Sequence, residues 1–114
     1  MISVLEHLKD HEVRRFAAGD TVLRQGEKTE CLYFMIEGSV EVLKDDVKVA
    51  KSSQPGVVFG ELAALLGESH TATVRAVKPS AFYVVENPKD YLRTSPGACL
   101  HVCELLARRL DALN

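Results

Sequence analysis

A glycine followed by a carboxylate and a run of helix-forming residues is the first feature of this sequence that suggests a binding site. Gly60 and Glu61 precede a short apolar segment that ends at Gly67, a residue typical of helix C-termini. The first turn of such a helix exposes backbone N–H groups and the positive end of the helix dipole, which favour anions. Glu61 would repel a phosphate, but its carboxylate can accept hydrogen bonds from sugar hydroxyl groups. A capped turn that binds nothing would show the same pattern.

Histidine and cysteine are sparse and do not form a metal-binding pattern. Cys99, His101 and Cys103 alternate along a predicted helix, and at about 100° per residue the imidazole points away from both thiols. His7 and His11 lie at nearly helical spacing, without an obvious third ligand. We therefore predict no metal site and no bound cofactor, and we expect the thiols to pack in the protein core.

The charge balance argues against a nucleic-acid partner. The chain has 14 Lys and Arg residues against 16 Asp and Glu residues, which gives a formal net charge of −2. No global basic field is available to hold a phosphate backbone. Arg108 and Arg109 are adjacent near the end of the last predicted helix, where basic residues usually complement the helix dipole on a solvated face.

Length and composition predict a single globular domain over residues 1–114. With 46% hydrophobic and 26% charged residues, the chain as a whole is neither disordered nor fibrous. The longest apolar run, 31–36, is far shorter than the roughly 20 residues that span a bilayer, so we expect no membrane insertion. The N-terminus lacks the pattern of a secretory signal, and three cysteines do not suit a disulfide framework. We therefore expect a cytoplasmic protein.

Short β-branched and aromatic segments, separated by glycines, dominate residues 13–87. They predict about eight short antiparallel strands that form a sandwich or barrel. Asp45 and Asp46 are predicted to form a two-residue hairpin turn, because aspartate tolerates positive φ better than most residues. The segment after Gly60 predicts one short helix between two of the strands.

Helices are predicted on both sides of this region. Residues 1–12 predict a short N-terminal helix, and residues 88–114 predict C-terminal helices, most strongly from Pro96 onward. An apolar stripe on the last helix must dock on the sheet or on a partner, and it consists of Cys99, Val102, Cys103, Leu106, Leu110 and Leu113. Because this stripe is long for a small β-domain to cover, we expect the helix to form a homodimer or to bind a partner protein.

Residues 59–76 closely resemble the phosphate-binding cassette of the cyclic-nucleotide-binding domain family, of the catabolite activator protein and protein kinase A regulatory subunit type. The segment reads FGELAALLGESHTATVRA. Residues 16–27 and 32–42 resemble the first strands of that family's β-roll, and the resemblance extends over residues 16–86. It implies a mainly β fold, namely an eight-stranded antiparallel, jelly-roll-like β-roll with the short cassette helix inserted and with C-terminal helices.

The resemblance also implies a ligand, cAMP or cGMP, bound beside the short helix. Glu61 matches the family's glutamate that holds the ribose 2′-hydroxyl, and Thr71 matches the small hydroxyl residue that contacts the cyclic phosphate. The last helix of the family folds over the nucleotide, so Arg108 or Arg109 is a candidate lid over the base. The ligand-binding residues that the resemblance implies are Phe59, Gly60, Glu61, Leu62, Ala63, His70 and Thr71.

His70 departs from the family's pattern. The position nine residues after the glutamate is normally an arginine that pairs with the phosphate, often preceded by proline, whereas here Ser69 and His70 occupy these positions. Arginine is always charged, but an unperturbed histidine is mostly neutral at pH 7. Losing a charged hydrogen bond worth roughly 1.5–3 kcal/mol would weaken nucleotide binding by about 10- to 100-fold. Arg75 lies about 13 Å beyond Thr71 along the strand, too far to replace that charge, and we expect it to be solvated or ion-paired.

Two functions are compatible with the sequence. The first is a stand-alone, non-enzymatic cyclic-nucleotide sensor with weak affinity, in which the ligand shifts the docking of the C-terminal helix. The second is a degenerate family member that binds no nucleotide and serves as a protein-interaction or dimerisation module. Enzymatic activity is not expected, because His70 is the one histidine of the β region and no Ser or Cys has an evident base and orienting group.

Overall fold

In a computed structural model, which describes residues 3–113, eight antiparallel strands form two packed four-stranded sheets. The strands are β1 (Glu12–Phe16), β2 (Thr21–Leu23), β3 (Leu32–Glu37), β4 (Val40–Lys44), β5 (Val47–Ser52), β6 (Val58–Phe59), β7 (Thr73–Ala76) and β8 (Ser80–Val85). The strand order is β1-β8-β3-β6 in the first sheet and β2-β7-β4-β5 in the second. The predicted eight-stranded antiparallel β-roll is confirmed.

Four helical segments accompany the sheets. A 3-10 helix, Val4–Leu8, precedes the strands, and α1 (Glu61–Leu66) lies between β6 and β7; α2 (Pro88–Thr94) and α3 (Pro96–Asp111) follow the last strand. The predicted N-terminal helix is thus a single 3-10 segment. The predicted spans 1–12 and 88–114 include residues 1, 2 and 114, which lie outside the described residues. The assignment of the whole chain to one domain stays a prediction.

The hairpin between β4 and β5 has the predicted two-residue turn. Asp45 and Asp46 both have positive φ, 52° and 64°, as a turn matched to the twist of the flanking strands requires. The side-chain amide of Gln25 donates to Asp45 Oδ1 at 2.9 Å and its oxygen accepts from the Asp45 backbone N–H at 2.9 Å. These two bonds tie the hairpin to the loop that follows β2.

Strand β5 forms one edge of the second sheet and is mostly exposed. Its register with β4 shifts opposite Val42 and Leu43, so that Val49 has no direct partner. Val47 and Val49 are both exposed large apolar side chains. The solvated edge of the sheet therefore carries a bulge and two unprotected valines.

Two buried clusters form the core, and they serve different parts of the fold. One is centred on Phe82, whose ring makes edge-to-face contacts with the rings of Phe16, Tyr33 and Phe59 at centroid distances of 5.7, 6.2 and 6.3 Å. The other joins the helices to the sheet and contains Leu8, Phe34, Ala64, Ala98 and Val102. Since Ala64 belongs to α1 and Val102 to α3, these two helices share one packed core.

The apolar stripe predicted for α3 does not dock as a unit. Val102 is buried and Leu106 packs against the core, but Cys103, Leu110 and Leu113 are exposed. The prediction that the thiols lie in the core is wrong for Cys103, while Cys31 and Cys99 are half-buried. The physical reason is the orientation of α3 about its own axis. Val102 faces the core, and Cys103, the next residue, lies about 100° around the helix from it and so faces solvent.

The docking of α3 is fixed by a polar contact near its start. His101 Nε2 donates to the Gly56 carbonyl oxygen at 2.7 Å, and its ring lies 6.5 Å from the ring of Phe34. The face directed at the β-roll is therefore the one that carries His101, Val102 and Leu105.

Glycines cap α1 at both ends, and only one of them is also crowded. Gly60 and Gly67 have φ of 87° and 72°. A Cβ at Gly60 would lie 2.9 Å from the Cys31 backbone carbonyl oxygen, whereas a Cβ at Gly67 would meet nothing within 4 Å.

We expect Gly67→Ala to cost about 1 kcal/mol of unfolding free energy, from left-handed strain alone. Gly60→Ala should cost at least roughly 1 kcal/mol more, because the backbone carbonyl cannot yield.

Urea denaturation of the two variants measures this difference. Equal destabilisation by both substitutions would contradict the close approach of α1 to the strand region.

Candidate functional site

A cavity of about 380 Å³ opens between the second sheet, the start of α1 and the end of α3. Its walls include β-strand residues such as Leu23, Val42 and Val74, so it is largely apolar. Six of the seven predicted ligand-binding residues line it, namely Phe59, Gly60, Glu61, Leu62, His70 and Thr71. Ala63 is buried and does not line the cavity. Which of these residues contact a ligand stays a prediction.

Glu61 is the first residue of α1 and lies at one end of the cavity. Its Oε1 atom accepts a hydrogen bond from Arg109 Nη1 at 2.7 Å. Arg109 also donates to the Val58 carbonyl oxygen, and its guanidinium lies 5.9 Å from the centre of the Phe59 ring. The end of α3 therefore closes this part of the cavity by an ion pair.

The two arginines of α3 have different surroundings. Arg109 lines the cavity, whereas Arg108 is exposed and pairs with Glu104 at 3.8 Å. Of the two candidates for a lid over the base, the structure brings only Arg109 to the cavity. Sequence reasoning could not choose between them, because the docking angle of α3 decides which side chain faces inward.

His70 is buried, with 6% of its surface exposed. Its Nε2 atom lies 2.9 Å from Thr29 Oγ1. Its backbone N–H donates to the Glu27 carbonyl oxygen and its carbonyl accepts from the Gly26 N–H, each at 2.8 Å. Burial lowers the pKa of His70 below its usual 6.5, although the nearby carboxylates of Glu27 and Glu61 oppose this shift. The imidazole is therefore neutral at pH 7.

Thr29 contacts the predicted site residue His70, and sequence reasoning missed this contact. It lies 41 positions from His70 along the chain, in the loop between β2 and β3. No local pattern marks a single threonine in a loop, so only the fold could reveal this contact.

Beyond His70, Thr71 precedes β7 and Arg75 lies within it. Thr71 is exposed at the cavity. Arg75 donates through Nε to Glu41 Oε1 at 2.8 Å, which confirms the expected ion pair. The ionisable side chains that line the cavity, within residues 3–113, are Lys51, Glu61, His70 and Arg109.

The comparison with family models identifies the fold family. The model of the cyclic nucleotide-binding domain matches residues 13–92, most of the chain. The chain belongs to the cyclic nucleotide-binding domain family. This agrees with the β-roll and with the cavity beside α1.

Individual relatives are similar to this domain over most of its length. A cAMP-dependent protein kinase regulatory subunit from Yarrowia lipolytica is 36% identical over 84 residues, which are 74% of this chain and 21% of that protein. The Thermus thermophilus catabolite activator protein superposes with a TM-score of 0.82 at 23% identity, over 96% of this chain and 55% of that one. The latter likeness shows the fold.

A third relative is the regulatory subunit of a cAMP-independent protein kinase A from Trypanosoma brucei. Its structure superposes with a TM-score of 0.63 at 31% identity, over 70% of this chain and 30% of that chain. A mutant of that protein with three substitutions is bound to cAMP in its A site. The present chain thus spans well under two thirds of each of these relatives.

No group of three or more His, Cys, Asp or Glu side chains in the described part of the chain could hold a metal ion. Over the same residues, no helix has the length and apolar character needed to cross a bilayer.

The burial of His70 predicts how stability depends on pH. Because the folded-state pKa lies below 6.5, the folded protein binds fewer protons than the unfolded chain as the pH falls. Above pH 6.5 the imidazole is mostly neutral in both states, and the folded protein has its full stability. We expect part of the free energy of unfolding to be lost as the pH falls from 6.5 through the lowered pKa that His70 has in the folded protein. Urea denaturation between about pH 8 and 5 measures this loss.

The variant His70→Gln supplies the control, because glutamine can still hydrogen-bond Thr29 but does not titrate. It should show a flatter pH dependence than the wild type. Identical pH dependences would mean that other groups are responsible.

Proposed function

We propose that this domain is a non-enzymatic regulatory module that senses a ligand of the cyclic-nucleotide class, cAMP or cGMP, with weak affinity. Membership of the family supports the ligand class. The observation that carries the proposal is the ion pair between Glu61 and Arg109, because it joins the start of α1 to the end of α3 at the cavity. The proposal includes a cytoplasmic setting and a partner protein, or a second copy of the chain, that responds to α3.

Ligand binding and helix docking compete for one carboxylate in this scheme. A ribose 2′-hydroxyl donates to Glu61, whose Oε1 atom already accepts from Arg109. Displacing the guanidinium also breaks its second hydrogen bond, to the Val58 carbonyl oxygen. Because Ala64 of α1 and Val102 of α3 lie in one cluster, a shift of α1 also changes the packing of α3. The ligand thereby favours one docking of α3 over another.

The phosphate end of the ligand is assigned to His70 and Thr71 in this proposal. We assign the backbone N–H donors at this end to Gly60 and Leu62, which line the cavity, and not to Ala63, which does not. A neutral imidazole offers at most one N–H donor, whereas the guanidinium usual in the family offers a charged fork. The missing charged hydrogen bond is worth roughly 1.5–3 kcal/mol, which weakens binding by about 10- to 100-fold.

Restoring the guanidinium tests the orientation of the ligand. We expect His70→Arg to strengthen cAMP or cGMP binding by about 10-fold or more, because each 1.4 kcal/mol corresponds to a factor of ten. Glu61→Ala should weaken binding through the ribose. Wild-type binding should strengthen as the pH falls below 6.5, since a protonated imidazole attracts the phosphate. Calorimetric titration of nucleotide-free protein measures all three effects.

Ser69→Arg is the matched control, because it adds the same charge at the neighbouring exposed position. It should change the affinity little. If the wild type and His70→Arg both give no heat at millimolar nucleotide, the domain is not a cyclic-nucleotide sensor and the interaction module replaces it.

The outer face of α3 favours a second function, that of a dimerisation or protein-interaction module. Leu100, Cys103, Ala107 and Leu110 are exposed and are spaced by three, four and three residues, as are the positions that meet in a coiled coil. A second copy of the chain presents the same face, so two α3 helices can bury it around a twofold axis. Both functions can coexist, because Arg109 lies on the inner face.

Sedimentation equilibrium tests the dimer. We expect a dimer at high micromolar concentration and a shift to monomer on Leu100→Asn, which places a polar side chain in the apolar contact. Leu66→Asn is the control, because Leu66 is 66% exposed and Leu100 is 60% exposed but Leu66 lies on α1. A wild-type monomer at high micromolar concentration, with and without nucleotide, would contradict this function.

A further inference from the structure

Strand β5 leaves one edge of the second sheet open. It is last in the order β2-β7-β4-β5, so β4 pairs with only one of its two sides. Residues 47–51 are exposed along this strand. Within the described part of the chain, no hydrogen bond from outside the pair β4–β5 reaches the backbone of residues 47–52. Alternate N–H and C=O groups of β5 therefore face solvent, where an added strand can bond them.

The same edge carries basic side chains. Lys48 and Lys51 lie on β5, and Lys44 ends β4 beside them. Within residues 3–113, none of these three ammonium groups forms an ion pair or a hydrogen bond. Glu41 lies opposite Lys51 in the register, but its carboxylate accepts two hydrogen bonds from Arg75. The positive charge of the edge is therefore available to carboxylates of another chain.

Two aspartates place negative charge at one end of this edge. Asp45 and Asp46 form the turn before β5, and two hydrogen bonds hold Asp45 to Gln25. A carboxylate of another chain is repelled near the turn and attracted farther along the strand, beside Lys48 and Lys51. The edge therefore favours one placement of an acidic segment over the others.

Two valines add apolar surface to the edge. Val47 is 63% exposed and Val49 is 59% exposed, and Val49 has no direct partner in β4. Exposed β-branched side chains on a strand pack well against apolar side chains of a neighbouring strand. Free lysines alone would suit any polyanion, whereas the open backbone and the valines suit an extended peptide.

A second copy of β5 is a less favourable occupant of this edge. Pairing two β5 strands brings the lysines of both copies together, and like charges on paired strands are destabilising. The bulge at Val49 also interrupts the regular row of hydrogen bonds that two such strands would share. A short acidic segment meets neither obstacle, because it attracts the lysines and can pair with β5 on one side of the bulge.

From these observations we propose that the β5 edge binds a short, extended, acidic segment of a partner protein, which adds a fifth strand to the second sheet. The backbone of the segment pairs with β5, its carboxylates lie beside Lys48 and Lys51, and its apolar side chains contact Val47 and Val49. This interaction goes beyond the proposed function, because it needs neither a ligand in the cavity nor the outer face of α3.

Titration of the isotope-labelled domain with synthetic peptides, followed by NMR, tests this interaction. The probe is a capped hexapeptide of alternating glutamate and valine, and we expect saturable amide shifts centred on residues 47–52. A peptide with lysine in place of glutamate should not bind. A peptide with proline in place of valine keeps the charge but loses alternate N–H donors, and it should bind at least about 10-fold more weakly.

Two results of these titrations would overturn the proposal. Equal binding of the valine and proline peptides would mean that charge alone attracts them, as it would attract any polyanion. No binding of the glutamate–valine peptide at millimolar concentration, or shifts that lie outside β5 and its neighbours, would mean that the edge is not a docking site.

Charge reversal on β5 provides a second test. We expect the double variant Lys48→Glu, Lys51→Glu to bind the glutamate–valine peptide at least about 10-fold more weakly than the wild type. The matched control is Lys28→Glu, Lys89→Glu, which changes the net charge equally at exposed positions outside the two sheets and should bind as the wild type does. Equal weakening in both variants would assign the effect to net charge and contradict the proposal. The peptide comparison on the wild-type domain is decisive even if a variant does not fold.

Discussion

The arrangement of the site depends on one backbone approach. Gly60 faces the carbonyl oxygen of Cys31 closely enough that no side chain fits between them, and its left-handed conformation turns the chain from β6 directly into α1. That turn sets Glu61 at the cavity and Ala64 in the core beneath it. Without this close approach, Glu61 would not lie at the cavity while α1 packs against the same core as α3.

Features encoded by neighbouring residues could be predicted from the sequence. The strands between glycines, the turn at Asp45 and Asp46, and the exposed, paired state of Arg75 all follow from local conformational preferences or from strand geometry. The resemblance of residues 59–76 to a known cassette located the cavity as well, since six of the seven residues it implied line that cavity.

Contacts between distant residues could not be predicted. Arg109 lies 48 positions from Glu61, and whether it or Arg108 faces inward depends on the rotation of α3. That rotation is fixed by the hydrogen bond from His101 to the Gly56 carbonyl oxygen. No periodic pattern in the sequence indicates this contact. The same rotation exposes Cys103, which helical periodicity alone had placed on the buried side.

The exposed edge strand β5 also affects how the domain behaves at high concentration. An open edge with Val47 and Val49 in solvent is a surface on which a second molecule could add a strand and begin aggregation. Lys44, Lys48 and Lys51 lie on or beside this edge, and the bulge at Val49 interrupts its hydrogen-bonding row. We therefore expect repulsion between these lysines to oppose edge-to-edge contact of two domains, and ionic strength that screens their charges to weaken this protection.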